Sequence, residues 1–349
     1  MEIKRISVIA AGIFLMMGLS NGQSDWEAYQ HKKNADLVYN KGIGFFQSGQ
    51  YKQAAESFTE CIKLNPQHAL AYLQRAKANF EQNNRSAVVS DLEKALQLND
   101  KLGEAWFYRG YLQLITDTAS VKIENFDKAI ENGFNLPEVY YYRGVARFYK
   151  KDFPGASADF SMAIDKKPRY ALSFFERGKV KLITKDYTGA IYDFQQATQA
   201  DSSLLAAYNN IALAKIYTGD YTGAIADLDK IITHQPKNFI AYNNRGMAKY
   251  NLGNYDGALE DFLKAIELKP EYVQAHINMG NAYAKKGDQK RAIDSYNKAI
   301  QYDSKSAEAF LNRGFSKELT GDIDGACADW KMALSLGYQN AAQFVNECK

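Results

Sequence analysis

Apolar and small residues recur along this chain at the three- and four-residue spacing of amphipathic helices, with polar residues between them. The clearest stretch is 239–272, where Gly246 lies in a first predicted helix and Gly253–Asn254 ends that helix. A second predicted helix carries a small, a large and a small residue along one face: Ala258, Phe262 and Ala265. Pro270 ends the stretch, which we therefore predict to be two helices joined by a turn.

The same 34-residue pattern fits the chain nine times without insertion, from residue 35 to residue 340. The predicted copies are 35–68, 69–102, 103–136, 137–170, 171–204, 205–238, 239–272, 273–306 and 307–340. A polar lead-in at 23–34 precedes them. A capping helix within 341–349 is expected to follow, because a repeat stack must end on a polar outer face.

Two positions of the pattern support this frame. The eighth position is always Gly or Ala, which lets two helices approach closely: Gly42, Ala76, Gly110, Gly144, Gly178, Ala212, Gly246, Gly280 and Gly314. The large core position of the second helix is always apolar or aromatic: Phe58, Leu92, Phe126, Phe160, Phe194, Leu228, Phe262, Tyr296 and Trp330.

A 34-residue helix–turn–helix period with this arrangement of small and large residues resembles the tetratricopeptide repeat family. The resemblance implies an all-α fold, a right-handed α-solenoid of nine repeats. It also implies that the first helix of each repeat lines a concave groove, and that the groove holds a protein or peptide. The copy at 103–136 departs from the pattern, with Lys122 where alanine is expected and no glycine-led turn.

The first 22 residues form a different kind of segment. Lys4 and Arg5 precede an apolar run from Ile6 to Leu19, and small or polar residues follow. The run is short for a membrane span and has the layout of a secretory signal peptide. We expect cleavage before Gln23, no stable membrane span afterwards, and export to the periplasm or cell surface. An uncleaved membrane anchor is the alternative.

Three cysteines in an exported chain leave an odd one. Cys61 occupies a small core position and is expected to be a buried free thiol. Chain reversal near Gly337–Tyr338 would bring Cys327 and Cys348 together, which predicts a disulfide, with two free thiols as the alternative.

Charge and motifs argue against several function classes. The 43 Lys and Arg residues are interleaved with 40 Asp and Glu residues, giving a formal net charge of +3 and no basic patch for nucleic acid. The sequence has no phosphate-binding loop, nucleophile elbow or paired Cys-x-x-Cys motif, and no metal-spaced histidine pair. We therefore predict no cofactor, no metal and no enzyme activity.

A series of arginines at the seventh position is the most suggestive charge pattern: Arg75, Arg109, Arg143, Arg177, Arg245 and Arg313. The second helices carry an aspartate series sixteen residues later: Asp91, Asp159, Asp193, Asp261 and Asp329, with Asn125 after Arg109. Asp227 is an exception, because its repeat has no such arginine. The matching favours ion pairs that brace each repeat, since a buried guanidinium needs a partner. A cationic track for an anionic ligand is the alternative.

Groove positions implied by the resemblance give two groups of candidate binding residues. Apolar anchors are expected at Phe107, Tyr111, Tyr141, Phe148, Tyr149, Phe175, Tyr217 and Tyr250. An asparagine series at the sixth position is similar to one that some family members use to hold peptide backbone: Asn210, Asn244, Asn278 and Asn312. A carboxamide suits that role because it both donates and accepts. Ordinary core packing of the rings and local capping by the amides are the alternatives.

We therefore predict a non-enzymatic scaffold of the cell envelope that binds an extended or helical partner segment in its groove. The alternative is a carbohydrate-handling module for polysaccharide export or assembly, in which groove aromatics stack on sugar rings.

Overall fold

The computed structural model describes Trp26 and residues 29–348. The predicted signal peptide at 1–22, and residues 23–25 and 27–28 of the lead-in, lie outside the described residues. The described chain is helical and contains no strand, so the all-α prediction is confirmed. It divides into two compact units, unit 1 up to Lys166 and unit 2 from Lys167 onward.

The described part of unit 1 contains eight helices in consecutive packed pairs. They are α1 (29–47), α2 (Tyr51–Leu64), α3 (Ala69–Glu81), α4 (Arg85–Leu98), α5 (Gly103–Thr116), α6 (Glu124–Glu131), α7 (Pro137–Tyr149) and α8 (Phe153–Lys166).

Unit 2 continues the same arrangement and ends in a short cap. Its elements are α9 (Ala171–Ile183), α10 (Tyr187–Ala200), α11 (Leu205–Thr218), α12 (Tyr221–His234), α13 (Phe239–Asn251), α14 (Tyr255–Leu268), α15 (Val273–Lys285), α16 (Gln289–Tyr302), α17 (Ala307–Leu319), α18 (Ile323–Ser335), a 3-10 turn (Gln339–Ala341) and α19 (Ala342–Glu347). From α3 to α17, the first helices of successive pairs begin 34 residues apart.

Local chemistry ends the first helix and starts the second. In the pair α13–α14, Gly253 has a φ of 80°, a conformation that glycine adopts without strain. The side chain of Asn254 then accepts a hydrogen bond from the backbone N–H of Gly257 at 3.0 Å and caps α14. Asp186, Asp220 and Asp322 cap α10, α12 and α18 in the same way.

The size of the buried residue on each second helix matches the residue it faces on the first. A Cβ added to Gly246 would lie 2.6 Å from Cε1 of Phe262, and one added to Gly314 would lie 2.5 Å from Nε1 of Trp330. Throughout the described chain, the pairs with a glycine have an aromatic ring opposite. The two pairs with an alanine have a leucine: Ala76 with Leu92 and Ala212 with Leu228. The two positions of each pair therefore fill one core volume, so a larger residue at one position goes with a smaller residue at the other.

The arginine series braces the helix pairs, which confirms the structural interpretation. Arg177 holds the side chain of Asp193 through two hydrogen bonds of 2.8 and 2.7 Å. Bonds of the same kind join Arg75 to Asp91, Arg143 to Asp159, Arg245 to Asp261 and Arg313 to Asp329. Arg109 donates to Asn125 instead, at 3.0 and 2.6 Å. These buried carboxylates fix the arginines, so the series is not a free cationic track.

The pair α5–α6 is the irregular one in unit 1. The segment between Asp117 and Ile123 is not helical, and α6 has only eight residues. The side chain of Gln113 spans the gap, accepting hydrogen bonds from the backbone N–H of Lys122 at 3.2 Å and from the side chain of Asn125 at 2.9 Å.

A disulfide joins Cys327 of α18 to Cys348, which follows α19. Phe344 of α19 packs on Phe315 and Trp330, with ring centroids 4.7 and 5.4 Å apart. Cys61 is the free cysteine of the described chain and is buried; loss of solvent raises the pKa of its thiol to about 11.

Candidate functional site

The predicted anchors of unit 1 divide between core and surface. Phe107 is only 8% exposed and lies in the core, with its ring parallel to that of Tyr111 at 6.0 Å. Its burial corrects the expectation that it meets a partner, because its packing against Phe126 and Phe134 leaves no free face. Tyr111 is half-buried against Tyr142, 4.6 Å away. The core-packing alternative therefore describes Phe107 fully and Tyr111 in part.

The anchors on α7 lie nearer the surface. Tyr141 rests on the buried ring of Phe160 at 6.0 Å, and Phe148 contacts Phe153 at 5.8 Å. Tyr149 is 58% exposed. Tyr149 is therefore the most exposed of the predicted anchors in unit 1, and Tyr141 and Phe148 are partly covered.

In unit 2 the first predicted anchors also differ in exposure. Phe175 is half-buried on Phe194, with ring centroids 5.7 Å apart. Tyr217 is exposed and stacks on Tyr187 at 4.9 Å. Burial, followed by the neighbouring Tyr187 hydroxyl, raises the pKa of Tyr217.

The predicted residues converge best along α13, α15 and α17. Two adjoining cavities of about 170 and 540 Å³ lie there, and both are lined by Tyr250 and Asn281. Met247 and Asn278 line the smaller cavity, and Asn312 and Phe315 line the larger one. We call this surface the C-terminal groove. Three predicted site residues contribute to it, namely Tyr250, Asn278 and Asn312.

The asparagines of this groove are already hydrogen-bonded within the protein. The side-chain amide of Asn278 donates to Oδ1 of Asn243 at 2.9 Å. The amide of Asn312 donates to Oδ1 of Asn281 at 3.1 Å. Asn244 and Asn278 are also buried, at 5% and 8% exposure, whereas Asn210 is partly exposed. This arrangement corrects the expected row of free carboxamides, because Asn278 and Asn312 tie neighbouring first helices together.

Asn281 is the polar centre of the C-terminal groove. Its Oδ1 accepts from the Tyr296 hydroxyl at 2.7 Å and from Asn312 at 3.1 Å. Burial raises the pKa of Tyr296, so this hydroxyl stays protonated as a donor. The described residues provide no acceptor for Nδ2 of Asn281. Its two N–H bonds are therefore available to a ligand.

The side chains of Gln289 and Glu308 also line the larger cavity of this groove. Gln289 donates through its amide nitrogen to the Ala284 carbonyl at 3.2 Å, while its Oε1 is buried without a hydrogen-bond partner in the described chain. Glu308 adds a carboxylate; loss of solvent raises its pKa, against a hydrogen bond from Gln274 that lowers it. The groove thus combines aromatic surface with an unused amide donor and a carboxylate.

The site residues predicted from the sequence did not include Asn281, Gln289 or Phe315. Asn281 and Phe315 both occupy the ninth position of their repeats, where the predicted anchor Tyr111 lies in the repeat at 103–136. Taking the ninth position as an anchor position in the last two repeats as well as in the central ones would have found both. Gln289 starts a second helix, and no sequence signal marked it.

The described residues contain no group of three or more His, Cys, Asp or Glu side chains placed to hold a metal ion. None of the described helices is both long and apolar enough to cross a membrane.

Family models match the chain at four places in the two units. A model described as "Tetratricopeptide repeat" matches residues 35–68, and a second of that description matches 205–238. A model described as "TPR repeat" matches residues 246–287 and 280–321. A curated relative, the TPR repeat-containing thioredoxin TDX of Oryza sativa subsp. japonica, is 36% identical over 62 residues. That match covers 18% of this chain and 20% of the relative, so the chain spans about a fifth of its length.

Solved structures of repeat proteins are also similar. YrrB, titled a TPR protein with an unusual peptide-binding site, is 22% identical over 54% of this chain and 97% of its own, with a TM-score of 0.41. Yeast Tom70 is 14% identical over 90% of this chain and 96% of its own, with a TM-score of 0.47. A TPR repeat-containing protein of Cytophaga hutchinsonii is 23% identical over 68% and 98%, with a TM-score of 0.47. Likeness at this level says nothing about function.

The family models match helix pairs in both units, and the described helices are paired at the 34-residue period on which those models are built. The chain therefore contains tetratricopeptide repeats, at residues 35–68, 205–238 and 246–321.

Proposed function

We propose that this protein is a non-enzymatic scaffold that holds an extended segment of a partner protein in the C-terminal groove. The observation that carries the proposal is Asn281, whose Oδ1 is fixed by two internal hydrogen bonds while its Nδ2 is unused. The fixed oxygen orients the amide, so the donor is held in place before a ligand binds.

An extended polypeptide fits this chemistry because its backbone offers both carbonyl and N–H groups along its length. Asn281 Nδ2 would donate to a backbone carbonyl of the bound polypeptide. The rings of Tyr250 and Phe315 supply apolar surface for the side chains between them. Tyr217 on α11 and the exposed ring of Tyr149 in unit 1 are further proposed contacts.

The decisive variant is Asn281→Asp. It keeps an oxygen to accept from Tyr296 and Asn312 but replaces the free donor with a second acceptor, which repels a peptide carbonyl. A peptide selected against residues 23–349 from a displayed random library is expected to bind this variant at least about tenfold more weakly, which corresponds to about 1.4 kcal/mol.

Asn40→Asp is the matched control, because it makes the same chemical change outside the groove. Asn40 is exposed on α1. Isothermal titration calorimetry on both variants gives the comparison. Equal affinity of Asn281→Asp and the unsubstituted protein for every selected peptide would contradict the assignment of this groove.

The comparisons above do not favour the carbohydrate-binding alternative.

We further propose that the protein works outside the cytoplasm, on the strength of the signal-like segment at 1–22. N-terminal sequencing of the protein from an envelope fraction is expected to begin at Gln23. A Leu15→Arg variant, which puts a charge into the apolar run, is expected to stay in the cytoplasm with its N-terminus uncleaved. Cytoplasmic recovery of the unsubstituted, uncleaved chain would refute export.

A further inference from the structure

We propose that unit 2 contains a binding pocket for a guanidinium group between α10, α11 and α12. A cavity of about 600 Å³ lies there, lined by Gln195, Tyr208, Ile211, Lys215 and Asp227 among others. The pocket is separate from the C-terminal groove. The argument for its ligand comes from the other repeats of this chain, where the equivalent space is filled by the protein's own arginine.

The arginine-bearing repeats define what surrounds a guanidinium in this fold. Each guanidinium carbon lies 4.0–5.6 Å from the centroid of an aromatic ring three residues earlier in the described chain. The ring and arginine pairs are Tyr72–Arg75, Trp106–Arg109, Tyr140–Arg143, Phe174–Arg177, Tyr242–Arg245 and Phe310–Arg313.

A carboxylate and an acceptor from the preceding repeat complete the surroundings. In five of these repeats of the described chain, Nη2 donates to Oδ1 of the aspartate sixteen residues later, at 2.5–2.7 Å. Nη1 reaches a side chain sixteen residues earlier, on the preceding second helix, as Arg245 does to Asp229 at 2.7 Å. Thr59, Asp127 and Asn297 hold the equivalent place for Arg75, Arg143 and Arg313.

The repeat at 205–238 keeps these surroundings without the arginine. Ile211 stands at the arginine position, Tyr208 at the position of the ring, and Asp227 at the position of the carboxylate. Gln195, sixteen residues before Ile211, supplies an oxygen at the position of the preceding acceptor. All four line the cavity. The shorter isoleucine therefore leaves an aromatic ring, a carboxylate and an amide facing open space.

Asp227 is more exposed than the equivalent aspartates of the arginine-bearing repeats, as expected where the arginine is replaced by isoleucine. The aspartates that lie sixteen residues after an arginine are 0–6% exposed, whereas the side chain of Asp227 is 33% exposed. Its Oδ2 accepts from Lys215 at 2.5 Å, and the described residues provide no partner for Oδ1. In five of the arginine-bearing repeats, Oδ1 of the aspartate accepts the hydrogen bond that Nη2 of the arginine donates. Lys215 does not block that role, because Lys181, Lys249 and Lys317 share their aspartates with an arginine.

The repeat at 273–306 shows that loss of the arginine alone does not create such a site. Met279 stands at the arginine position there, but Ser295 replaces the aspartate and His276 replaces the larger ring. The ring of His276 is buried and bonded to the Pro270 carbonyl at 2.8 Å. Retention of ring, carboxylate and amide is therefore specific to the Tyr208 pocket.

A guanidinium is the chemical group that fits, because it stacks on an aromatic face while its N–H groups meet a carboxylate in the same plane. The source is either a small molecule carrying this group or the arginine side chain of a partner protein. Titration calorimetry with three probes separates the two: free L-arginine, N-acetyl-L-arginine amide and the peptide Gly-Arg-Gly. If free L-arginine binds most tightly, the pocket is a small-molecule site. If N-acetyl-L-arginine amide and Gly-Arg-Gly bind more tightly than free L-arginine, the pocket binds the arginine side chain of a partner protein.

The expected result is saturable binding of a guanidinium probe and no saturable binding of N-acetyl-L-citrulline amide, its neutral isostere. Asp227→Asn is expected to weaken binding at least about tenfold. Ile211→Arg is expected to abolish binding, because the protein's own guanidinium then occupies the pocket, and to raise the melting temperature. Met279→Arg and Asp294→Asn are the matched controls, which keep the affinity of the unsubstituted protein.

Circular dichroism confirms that each variant is folded, and Tyr208→Ala serves in place of Ile211→Arg should that chain not fold. The proposal is overturned by absence of saturable binding of all three probes. Equal binding of the citrulline probe, or unchanged affinity in Ile211→Arg or in its Tyr208→Ala replacement, also overturns it.

Discussion

Asp193→Ala is expected to lower the free energy of unfolding of unit 2 by about 3 kcal/mol, because it removes the buried carboxylate that binds a largely buried guanidinium. The side chain of Asp193 is fully buried and holds both Arg177 and Lys181, at 2.7 and 2.9 Å. Without the carboxylate, the cations of Arg177 and Lys181 lie close together at the helix interface. Water and counter-charges there compensate the two positive charges only in part.

Urea denaturation followed by circular dichroism and by intrinsic fluorescence gives the measurement. Asp193→Asn is expected to lose less than the alanine variant, since Asn125 already shows an amide oxygen accepting two hydrogen bonds from Arg109. Asp229→Ala is the control. Asp229 is half-exposed and also bonds an arginine, so its loss is expected to cost less than about 1 kcal/mol. A similar loss in Asp193→Ala and Asp229→Ala would refute the brace.

The second large effect concerns Gly246→Ala, which is expected to destabilise the unsubstituted protein but to stabilise the Phe262→Leu variant. In the unsubstituted protein Gly246→Ala is expected to cost about 1–2 kcal/mol, because the new Cβ would lie 2.6 Å from the ring of Phe262. In the Phe262→Leu background the same change is expected to stabilise the protein by a few tenths to about 1 kcal/mol, since space is now present and alanine favours helix.

The natural Ala212–Leu228 and Ala76–Leu92 pairs are the reason for expecting this compensation. A double-mutant cycle from denaturation midpoints measures the coupling energy, which should exceed about 1 kcal/mol. Gly44→Ala provides the control for helix propensity, because a Cβ there meets no atom within 4 Å. Additive effects of Gly246→Ala and Phe262→Leu would show that the two positions do not share one volume.

The braces were predictable from sequence because each is closed within one helix pair. Arg177 and Asp193 are sixteen residues apart, and a 34-residue helix–turn–helix unit brings those two positions opposite each other every time. The glycine and aromatic pairs follow the same rule. Helix starts were equally local, since they depend on turn glycines and capping residues such as Gly253 and Asn254.

The site was less predictable because it depends on contacts between repeats. Whether Asn278 presents its amide to a ligand depends on Asn243, 35 residues away, and the amide of Asn312 depends on Asn281, 31 residues away. Phe107 occupied an expected groove position and proved to be core, because the rings of Phe134 and Tyr142 lie against it.

The sequence by itself determined the helix pairs, their period, the family and the internal partner of each arginine. Each of these follows from residues within one 34-residue unit, whose geometry repeats. Only the tertiary structure decided which side chains remain free. It gave Asn281 an oriented, unused donor, left Gln289 Oε1 without a partner, and opened a cavity beside Asp227 where Ile211 replaces arginine. Availability to a ligand is what remains after neighbouring repeats have packed, so it is a property of several units together.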